Sequence, residues 1–344
     1  MTNAPSDTRS GGTRKSIRLG YQMPSFSHAA SAREVFPSVV AQARDAEAAG
    51  FDAAFVMDHF YQLPTIGAPE EPMLEAYTTL GALAAATERI QLSTLVTGNT
   101  YRNPATLAKT VTTLDVVSGG RAVLGIGAGW YELEHIGYGY EFGTFTDRFA
   151  RLEEALSIIA PMLRGEHPTV QGRWYHTHEA LNEPRVRDDL PIMLGGGGEK
   201  KTFALAARYA DHLNMICNAT ELPRKMAALH ARCAEIGRDP GTLETSYLAY
   251  LIVDEDGDRA RKLHAELLEK QSKQDLSGLS TPAMRQGQTD RHFVGDPDDI
   301  AEQIQRRVLD HGVDGIIVNM VANGHEPGIL DLAGRALGPL VHRS

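Results

Sequence analysis

The sequence alternates short apolar runs with amphipathic helical segments along almost its whole length. Helical periodicity is clear at Val35, Val39, Ala43 and Ala46, which recur every three or four residues between two apolar runs. Eight apolar runs are predicted strands, at Ile17 to Met23, Asp52 to Asp58, Ile90 to Thr97, Arg121 to Gly127, Pro191 to Leu194, Asp211 to Ile216, Leu243 to Val253 and Asp314 to Asn319. Strands separated by helices in this way form parallel sheets.

Helices are predicted between the strands. They span Arg33 to Gly50, Leu74 to Thr87, Pro104 to Val117, Arg148 to Leu163, Lys201 to Tyr209, Pro223 to Ile236, Asp258 to Glu269 and Asp298 to His311. Strand and helix units of this number predict an α/β fold, specifically a closed (β/α)8 TIM barrel. A doubly wound sheet with a second domain is the alternative, but no segment looks like a linker that would divide the chain.

The barrel is predicted to be a single domain over residues 17–344. Residues 1–16 are small and polar and are predicted to form a disordered leader. Two segments interrupt the alternation, Arg164 to Arg187 and Gln271 to His292. We expect both to be insertions at the C-terminal face of the barrel, where such segments form lids and site walls.

Charge and cysteine content limit the partners. The chain has 344 residues, a net charge of −10 and two cysteines, Cys217 and Cys233. An acidic chain is a poor match for nucleic acid or an anionic membrane, and no apolar run approaches the roughly 18 residues of a membrane span. The two cysteines lack the number for a disulfide framework and the spacing for a metal site. We therefore expect a cytoplasmic protein with reduced thiols and no metal.

Functional residues of a barrel gather where its strands end. Asp58 and His59 follow the second predicted strand, and histidine is the side chain best suited to proton transfer near neutral pH. A structural use has about equal weight, with Asp58 capping a turn and His59 bonding a backbone carbonyl. Arg102, after the third strand, either binds an anion or pairs with an acid on the rim.

Glycines follow the fourth strand in the stretch VLGIGAGWYELEH. A dinucleotide-binding fingerprint would need a further glycine where Trp130 stands, so this interpretation is rejected. Gly127 and Gly129 instead allow a flat ligand to approach the backbone, or simply fit a crowded turn.

A second cluster follows the fifth strand. Four glycines, Gly195 to Gly198, precede a helix with Lys200 and Lys201 expected in its first turn. Exposed backbone N–H groups at a helix N-terminus favour an anion, so the pattern predicts an anion site. A flexible joint with surface lysines is the alternative.

Five segments together resemble the luciferase-like monooxygenase superfamily, and within it the oxidoreductases that depend on the deazaflavin coenzyme F420. The resemblance runs from Ile17 to about Leu340 and implies a (β/α)8 barrel, often homodimeric, with a flavin-like ring in its mouth. The segments are FVMDHF, EEPMLEAYTTLGALAAATERIQL, TYRNPATLAKTVTTLDVVSGGR, LGIGAGWYELEHIGYGYEF and PIMLGGGGEKKTFALAARYADHLN.

The resemblance also implies roles for individual residues. His59, paired with Asp58, would lie near the reacting carbon as the catalytic pair. A cis peptide is implied between Leu95 and Val96, at a bulge that backs the ring. The implied cofactor-binding residues are Leu95, Val96, Thr97, Ala128, Gly129, Gly196, Gly197, Gly198 and Lys200.

One position departs from the family pattern. A sugar-phosphate dehydrogenase of this family has a glutamate where this chain has Trp130, so neither its acid–base arrangement nor its substrate can be transferred. Trp130 suggests an apolar or aromatic wall for the substrate.

The resulting hypothesis is hydride transfer between coenzyme F420 and a small-molecule substrate, with His59 as acid or base. The anionic tail of the cofactor would cross Lys200, Lys201 and Arg173. One alternative is an FMN-dependent monooxygenase that uses oxygen and reduced flavin from a separate reductase. Another is a non-catalytic flavin-binding protein.

Overall fold

The computed structural model describes residues 16–274 and 289–342. Its strands are β1 (Leu19–Met23), β2 (Ala53–Val56), β3 (Gln91–Thr94), β4 (Thr97–Gly98), β5 (Leu124–Gly127), β6 (Val170–Gln171), β7 (His176–Thr177), β8 (Ile192–Gly195), β9 (His212–Met215), β10 (Glu244–Val253), β11 (His292–Gly295) and β12 (Gly315–Asn319). Its α-helices are α1 (Ala32–Ala48), α2 (Ala76–Ala86), α3 (Pro104–Ser118), α4 (Glu132–Tyr138), α5 (Phe145–Leu163), α6 (Thr202–Tyr209), α7 (Leu222–Glu235), α8 (Gly257–Ser272), α9 (Pro297–Arg307) and α10 (Ile329–Val341).

Parallel strands close into a barrel. Their order is β3, β2, β1, β12, β10, β9, β8, β5, β4, and β3 and β4 are the two halves of one barrel strand, separated by Leu95 and Val96. The ends of this order meet where Leu92 of β3 donates to the Arg121 carbonyl at 2.9 Å and accepts from the Val123 N–H at 3.0 Å. The predicted (β/α)8 barrel is confirmed, with all eight predicted strands in place.

Two parts of the structure lie outside the predicted pattern. Strand β11 pairs in parallel with the second half of β10, so His292, expected to end an insertion, begins a strand. Its four-residue length gave too little apolar sequence to be recognised. The insertion at Arg164 to Arg187 contains the antiparallel pair β6 and β7. Most of the other insertion, residues 275–288, lies outside the described residues, as do residues 1–15 of the predicted leader.

Helix boundaries mostly follow local capping signals. Helix α3 begins after Asn103, whose side chain accepts from the N–H groups of Ala105 and Thr106, and ends at Gly119 with a left-handed φ of 69°. Helix α5 begins three residues earlier than expected, because Thr144 and Asp147 form a reciprocal capping box. Helices α4 and α10 were not predicted.

The barrel interior is filled by apolar side chains that belong to the strands. Phe55, Met193, Leu248 and Ile317 pack there with Leu95, and a larger cluster lies between the strands and the surrounding helices. Because this interior is packed, a ligand can be received only at the barrel ends. Among the helices of residues 16–274 and 289–342, none combines the length and the apolar character of a membrane span.

Candidate functional site

Asp58, just after β2, forms an ion pair with Arg102, and both side chains have further partners. Both carboxylate oxygens of Asp58 contact the Arg102 guanidinium, at 2.6 and 2.9 Å, and the Gly98 N–H donates to Asp58 at 3.0 Å. Arg102 also contacts Glu75 at 2.8 Å. Burial acts to lower the pKa of Arg102, but the charge and hydrogen bonds of Asp58 outweigh it and hold that pKa above its usual range. This geometry favours a positioning role for Asp58 and the rim-pairing alternative for Arg102.

The next residue, His59, has a partner that was not predicted from the sequence. Its Nδ1 atom lies 2.9 Å from Oε2 of Glu134, which belongs to the first turn of α4. The Glu134 side chain is fully buried, whereas 13% of the His59 side chain is exposed. No hydrogen bond from the described residues reaches Nε2 of His59. The histidine is therefore anchored through one ring nitrogen while the other stays available.

Glu134 accepts three further hydrogen bonds in addition to its contact with His59. Its Oε1 atom accepts the backbone N–H groups of Phe60 and Tyr61, and its Oε2 atom accepts the Tyr101 hydroxyl at 2.7 Å. Burial opposes ionisation of Glu134, but hydrogen bonds from His59, Tyr101 and the Tyr61 N–H more than offset it and hold its pKa below the usual range. Glu134 is thus a buried carboxylate that is stabilised in its charged form.

Aromatic rings surround His59. The ring planes of Trp130 and Tyr131 stand at 73° and 72° to the imidazole, with centroids 5.7 and 5.9 Å away. Trp130 in turn stacks on Tyr131 at 5.2 Å. The wall beside the candidate proton-transfer residue is therefore apolar and flat, which agrees with the role suggested for Trp130.

The bulge between β3 and β4 has the features that the resemblance implies. The Leu95–Val96 peptide bond is cis. The Leu95 carbonyl accepts from Gln22 at 2.9 Å, and the Thr97 hydroxyl lies 2.6 Å from the Tyr77 hydroxyl. The side chain of Thr97 is thereby occupied, so a cofactor would meet the backbone here.

Val96 explains two of the glycines near the site. A Cβ atom at Gly127 would lie 2.8 Å from Val96, and one at Gly195 would lie 2.7 Å from it. The half-buried Val96 side chain therefore needs both strand ends to lack side chains. For Gly127 the structural explanation, a crowded turn, suffices.

The turn after β5 is stabilised by contacts of Thr100 and His135. Gly129 has a φ of 77°, and a Cβ there would lie 2.6 Å from the Thr100 hydroxyl. That hydroxyl lies 2.8 Å from Nε2 of His135, whose Nδ1 is 2.8 Å from the Tyr131 carbonyl. Burial lowers the pKa of His135. This neutral, buried histidine holds the Ala128 and Gly129 turn against the β4 end.

The glycine turn after β8 offers free donors. A Cβ at Gly197 would lie 2.4 Å from the Ile216 carbonyl oxygen, and Gly196 has a φ of 145°. The Gly196 N–H is satisfied by Asn214, but the N–H groups of Gly197, Gly198 and the next two residues donate to no other described residue. Backbone donors ahead of a helix suit an anion, so the turn fits the phosphate of a cofactor.

The lysines near this turn are arranged differently from the prediction. Helix α6 begins at Thr202, so Lys200 and Lys201 precede its first turn. Lys200 is exposed, whereas Lys201 lies over the Phe145 and Phe149 rings. Lys225 was missed by the sequence analysis and donates to the Gly197 carbonyl at 2.7 Å. Its position on a separate helix gave no local signal.

Two other predictions concern charge and metal. Arg173, suggested as a contact for the cofactor tail, is exposed and lies 3.6 Å from Asp147. Among residues 16–274 and 289–342 no group of three or more His, Cys, Asp or Glu side chains could hold a metal ion. Both cysteines are free and buried.

These features stand at one end of the barrel, after β2, β4, β5 and β8, and define a barrel protein with a histidine site and an anion-binding turn at its mouth. The sequence profile of the luciferase-like monooxygenase family matches residues 17–315. The chain belongs to this family, as the resemblance indicated.

Relatives and solved structures agree with this assignment. An F420-dependent glucose-6-phosphate dehydrogenase of Nakamurella multipartita is 32% identical over 330 residues, which cover 90% of this chain and 92% of the relative. One of the same name from Segniliparus rotundus is 28% identical, covering 94% and 97% of the two chains. The structure of an F420-dependent secondary alcohol dehydrogenase in complex with an F420-acetone adduct has a TM-score of 0.77 at 22% identity, over 96% of this chain and 100% of that one. At that identity the structural likeness shows the fold.

Proposed function

We propose that the protein is an oxidoreductase that transfers a hydride between coenzyme F420 and a small organic substrate at the barrel mouth. The observation that carries this proposal is the His59–Glu134 pair, in which a partly exposed imidazole is held by a buried carboxylate beside the Leu95–Val96 bulge. The names of the relatives support F420 as the cofactor. The sequence-based predictions of an oxidoreductase and of F420 agree with the names of these relatives.

The proposed cofactor-binding site contacts the cofactor mainly through backbone groups and less through side chains. Leu95, Val96 and Thr97 would back the ring, and Ala128 with Gly129 would contact it from the β5 end. Gly196, Gly197 and Gly198 would hold the phosphate through N–H groups, with Lys200 supplying positive charge. When bound, the deazaflavin provides a carbon centre that accepts or donates hydride and reacts poorly with oxygen.

The chain itself supplies orientation and proton transfer. His59 would exchange a proton with the substrate through Nε2, and the Asp58–Arg102 pair would hold the β2 end in place without contacting the substrate. The rings of Trp130 and Tyr131 would contact an apolar or aromatic part of that substrate. A phosphorylated sugar, named for the relatives, is not assigned to this chain, because Trp130 and Tyr131 place aromatic surface beside His59.

A parallel titration tests the cofactor. The protein is titrated with F420 and with FMN, each oxidised and reduced, following cofactor fluorescence. We expect micromolar or tighter binding of F420 and at least tenfold weaker binding of FMN. The opposite preference, together with oxygen uptake with reduced FMN, would replace this proposal with a flavin monooxygenase. Tight F420 binding without oxidation or reduction of any substrate would favour a non-catalytic binding protein.

We further propose that the protein works in the cytoplasm as a homodimer. Its α3 surface exposes Val116 and Val117, beside a groove of about 310 Å³ that α2 and α3 line. An exposed apolar helix face of this kind suits association with a second copy. Sedimentation equilibrium checks the mass, and a monomer at micromolar concentration would contradict it.

A further inference from the structure

We propose that Glu134 is a positioning residue that fixes His59 with the proton on Nδ1, and so leaves Nε2 as the proton acceptor of the reaction. This inference rests on the proposed function, in which His59 acts on the substrate. It goes further by naming the residue that selects the tautomer and the direction of proton transfer that this tautomer favours.

The contact between Glu134 and His59 determines which ring nitrogen carries the proton. Oε2 of Glu134 lies 2.9 Å from Nδ1 of His59, and an ionised carboxylate can only accept a hydrogen bond. The hydrogen bonds that Glu134 receives keep it ionised despite its burial. In a neutral imidazole bonded in this way, Nδ1 carries the proton and Nε2 presents a lone pair.

The other groups around His59 leave the choice of tautomer to Glu134. The Asp58 carboxylate is occupied by Arg102 and the Gly98 N–H, so it does not compete for His59. The Tyr101 hydroxyl donates to Glu134, and the Trp130 and Tyr131 rings meet the imidazole at steep angles without forming a hydrogen bond to it. Glu134 is therefore the group that determines which ring nitrogen is protonated.

A lone pair on Nε2 makes His59 a proton acceptor in the reaction. In the oxidative direction, the O–H bond of a substrate hydroxyl breaks and its proton moves to Nε2 of His59. The two electrons of the neighbouring C–H bond would leave with the hydride, and oxidised deazaflavin, when bound, would supply the acceptor. The imidazolium that forms is stabilised by Glu134 and later releases its proton to solvent.

Replacing Glu134 by glutamine separates this role from a structural one. The glutamine carbonyl can still accept the N–H groups of Phe60 and Tyr61. Its NH2 group would donate to Nδ1, and the Tyr101 hydroxyl can turn to accept from it. The substitution thus keeps the shape of the site while moving the His59 proton to Nε2.

The test is ¹⁵N NMR of the histidine side chains in the cofactor-free protein, with His59→Asn used for assignment. We expect the Nδ1–H tautomer in the wild type and the Nε2–H tautomer in Glu134→Gln. The matched control is Glu132→Gln, an exposed glutamate of the same helix, which should keep the wild-type tautomer. Tyr101→Phe should also keep it, because the hydroxyl that this variant removes donates to the Glu134 carboxylate and not to the imidazole.

Activity gives the second measurement. In Glu134→Gln, kcat for substrate oxidation should fall about 10²-fold or more, while F420 affinity stays within about twofold of wild type. A wild-type His59 with its proton on Nε2, or an unchanged tautomer in Glu134→Gln, would overturn the inference. If that variant fails to fold by circular dichroism, the wild-type spectrum still decides. A wild type that does not bind F420 would refute the proposed function while leaving the tautomer result intact.

Discussion

Asp58 and His59 are neighbours in sequence, but they end up in opposite situations. The Asp58 side chain is 1% exposed, and its two carboxylate oxygens accept hydrogen bonds from Arg102 and the Gly98 N–H. His59 uses one ring nitrogen for a fully buried partner and keeps part of its side chain exposed. Asp58 stabilises the end of the strand, whereas Nε2 of His59 accepts or donates no hydrogen bond among the described residues.

The difference shows why a titratable pair after a barrel strand does not share one role. A buried carboxylate that is paired with a guanidinium through both oxygens is held as a charged structural group. A histidine held at one nitrogen has both a defined orientation and an available atom. Partners from distant segments, Arg102 and Glu134, make this distinction.

Arg102→Ala tests whether Asp58 depends on its cation for stability. It would leave the Asp58 carboxylate buried without its cation, so we expect the free energy of unfolding to fall by about 3–5 kcal/mol. Urea denaturation measures this loss. Arg89→Ala is the control, since Arg89 is 65% exposed and lies 3.9 Å from Glu88, and it should cost less than about 1 kcal/mol. Equal stability of the two variants, with F420 affinity lost only in Arg102→Ala, would make Arg102 an anion-binding residue instead.

Removing the His59 side chain should lower turnover, whereas Arg102→Ala is expected to lower stability. His59→Ala is expected to lower kcat by about 10²-fold or more, because proton transfer is lost, while F420 affinity changes by less than about twofold. Steady-state kinetics and fluorescence titration check the two parts. His230→Ala, at an exposed position on α7, is the control and should behave as wild type. Full turnover by the His59 variant would exclude its acid–base role.

The sequence predicted the strands better than it predicted the side-chain contacts at their ends. All eight barrel strands are where the apolar runs lie, because a buried parallel strand must be apolar on both faces. The non-proline cis bond at Leu95–Val96 was implied by family resemblance, not by local chemistry.

Glu134 could not be identified from sequence for a physical reason. It lies 75 residues after His59 and reaches it only because α4 folds across the ends of β2 and β5. The seven-residue α4 is too short to show helical periodicity, although Gly139 at its end, with a φ of 73°, is a typical stop signal. An acidic residue just after a barrel strand was the one available hint.

The pH dependence of the free energy of unfolding tests whether Glu134 is ionised in the folded protein. Its pKa in the folded protein is lowered below the usual range, chiefly because hydrogen bonds outweigh the effect of burial. A lowered carboxyl pKa adds stability above the unfolded pKa of about 4.3, and that stability is lost as pH falls through the folded pKa. Glu134→Gln should therefore be less stable than wild type by about 1–3 kcal/mol at pH 7, and the difference should shrink below about pH 4. Denaturation at several pH values checks this, and a constant difference would contradict it.

The smallest expected effect concerns the anion-binding turn, where backbone groups rather than side chains are proposed to hold the cofactor. Lys200 is exposed, so its charge should act on a bound phosphate through solvent. Lys200→Ala should weaken F420 binding by about two- to fivefold, with the loss disappearing at high salt, and Lys262→Ala on the exposed side of α8 should have no effect. Fluorescence titration at low and high ionic strength measures both. A loss of a hundredfold or more would mean that Lys200 contacts the cofactor directly, and that the side chain, not the glycine backbone, dominates the site.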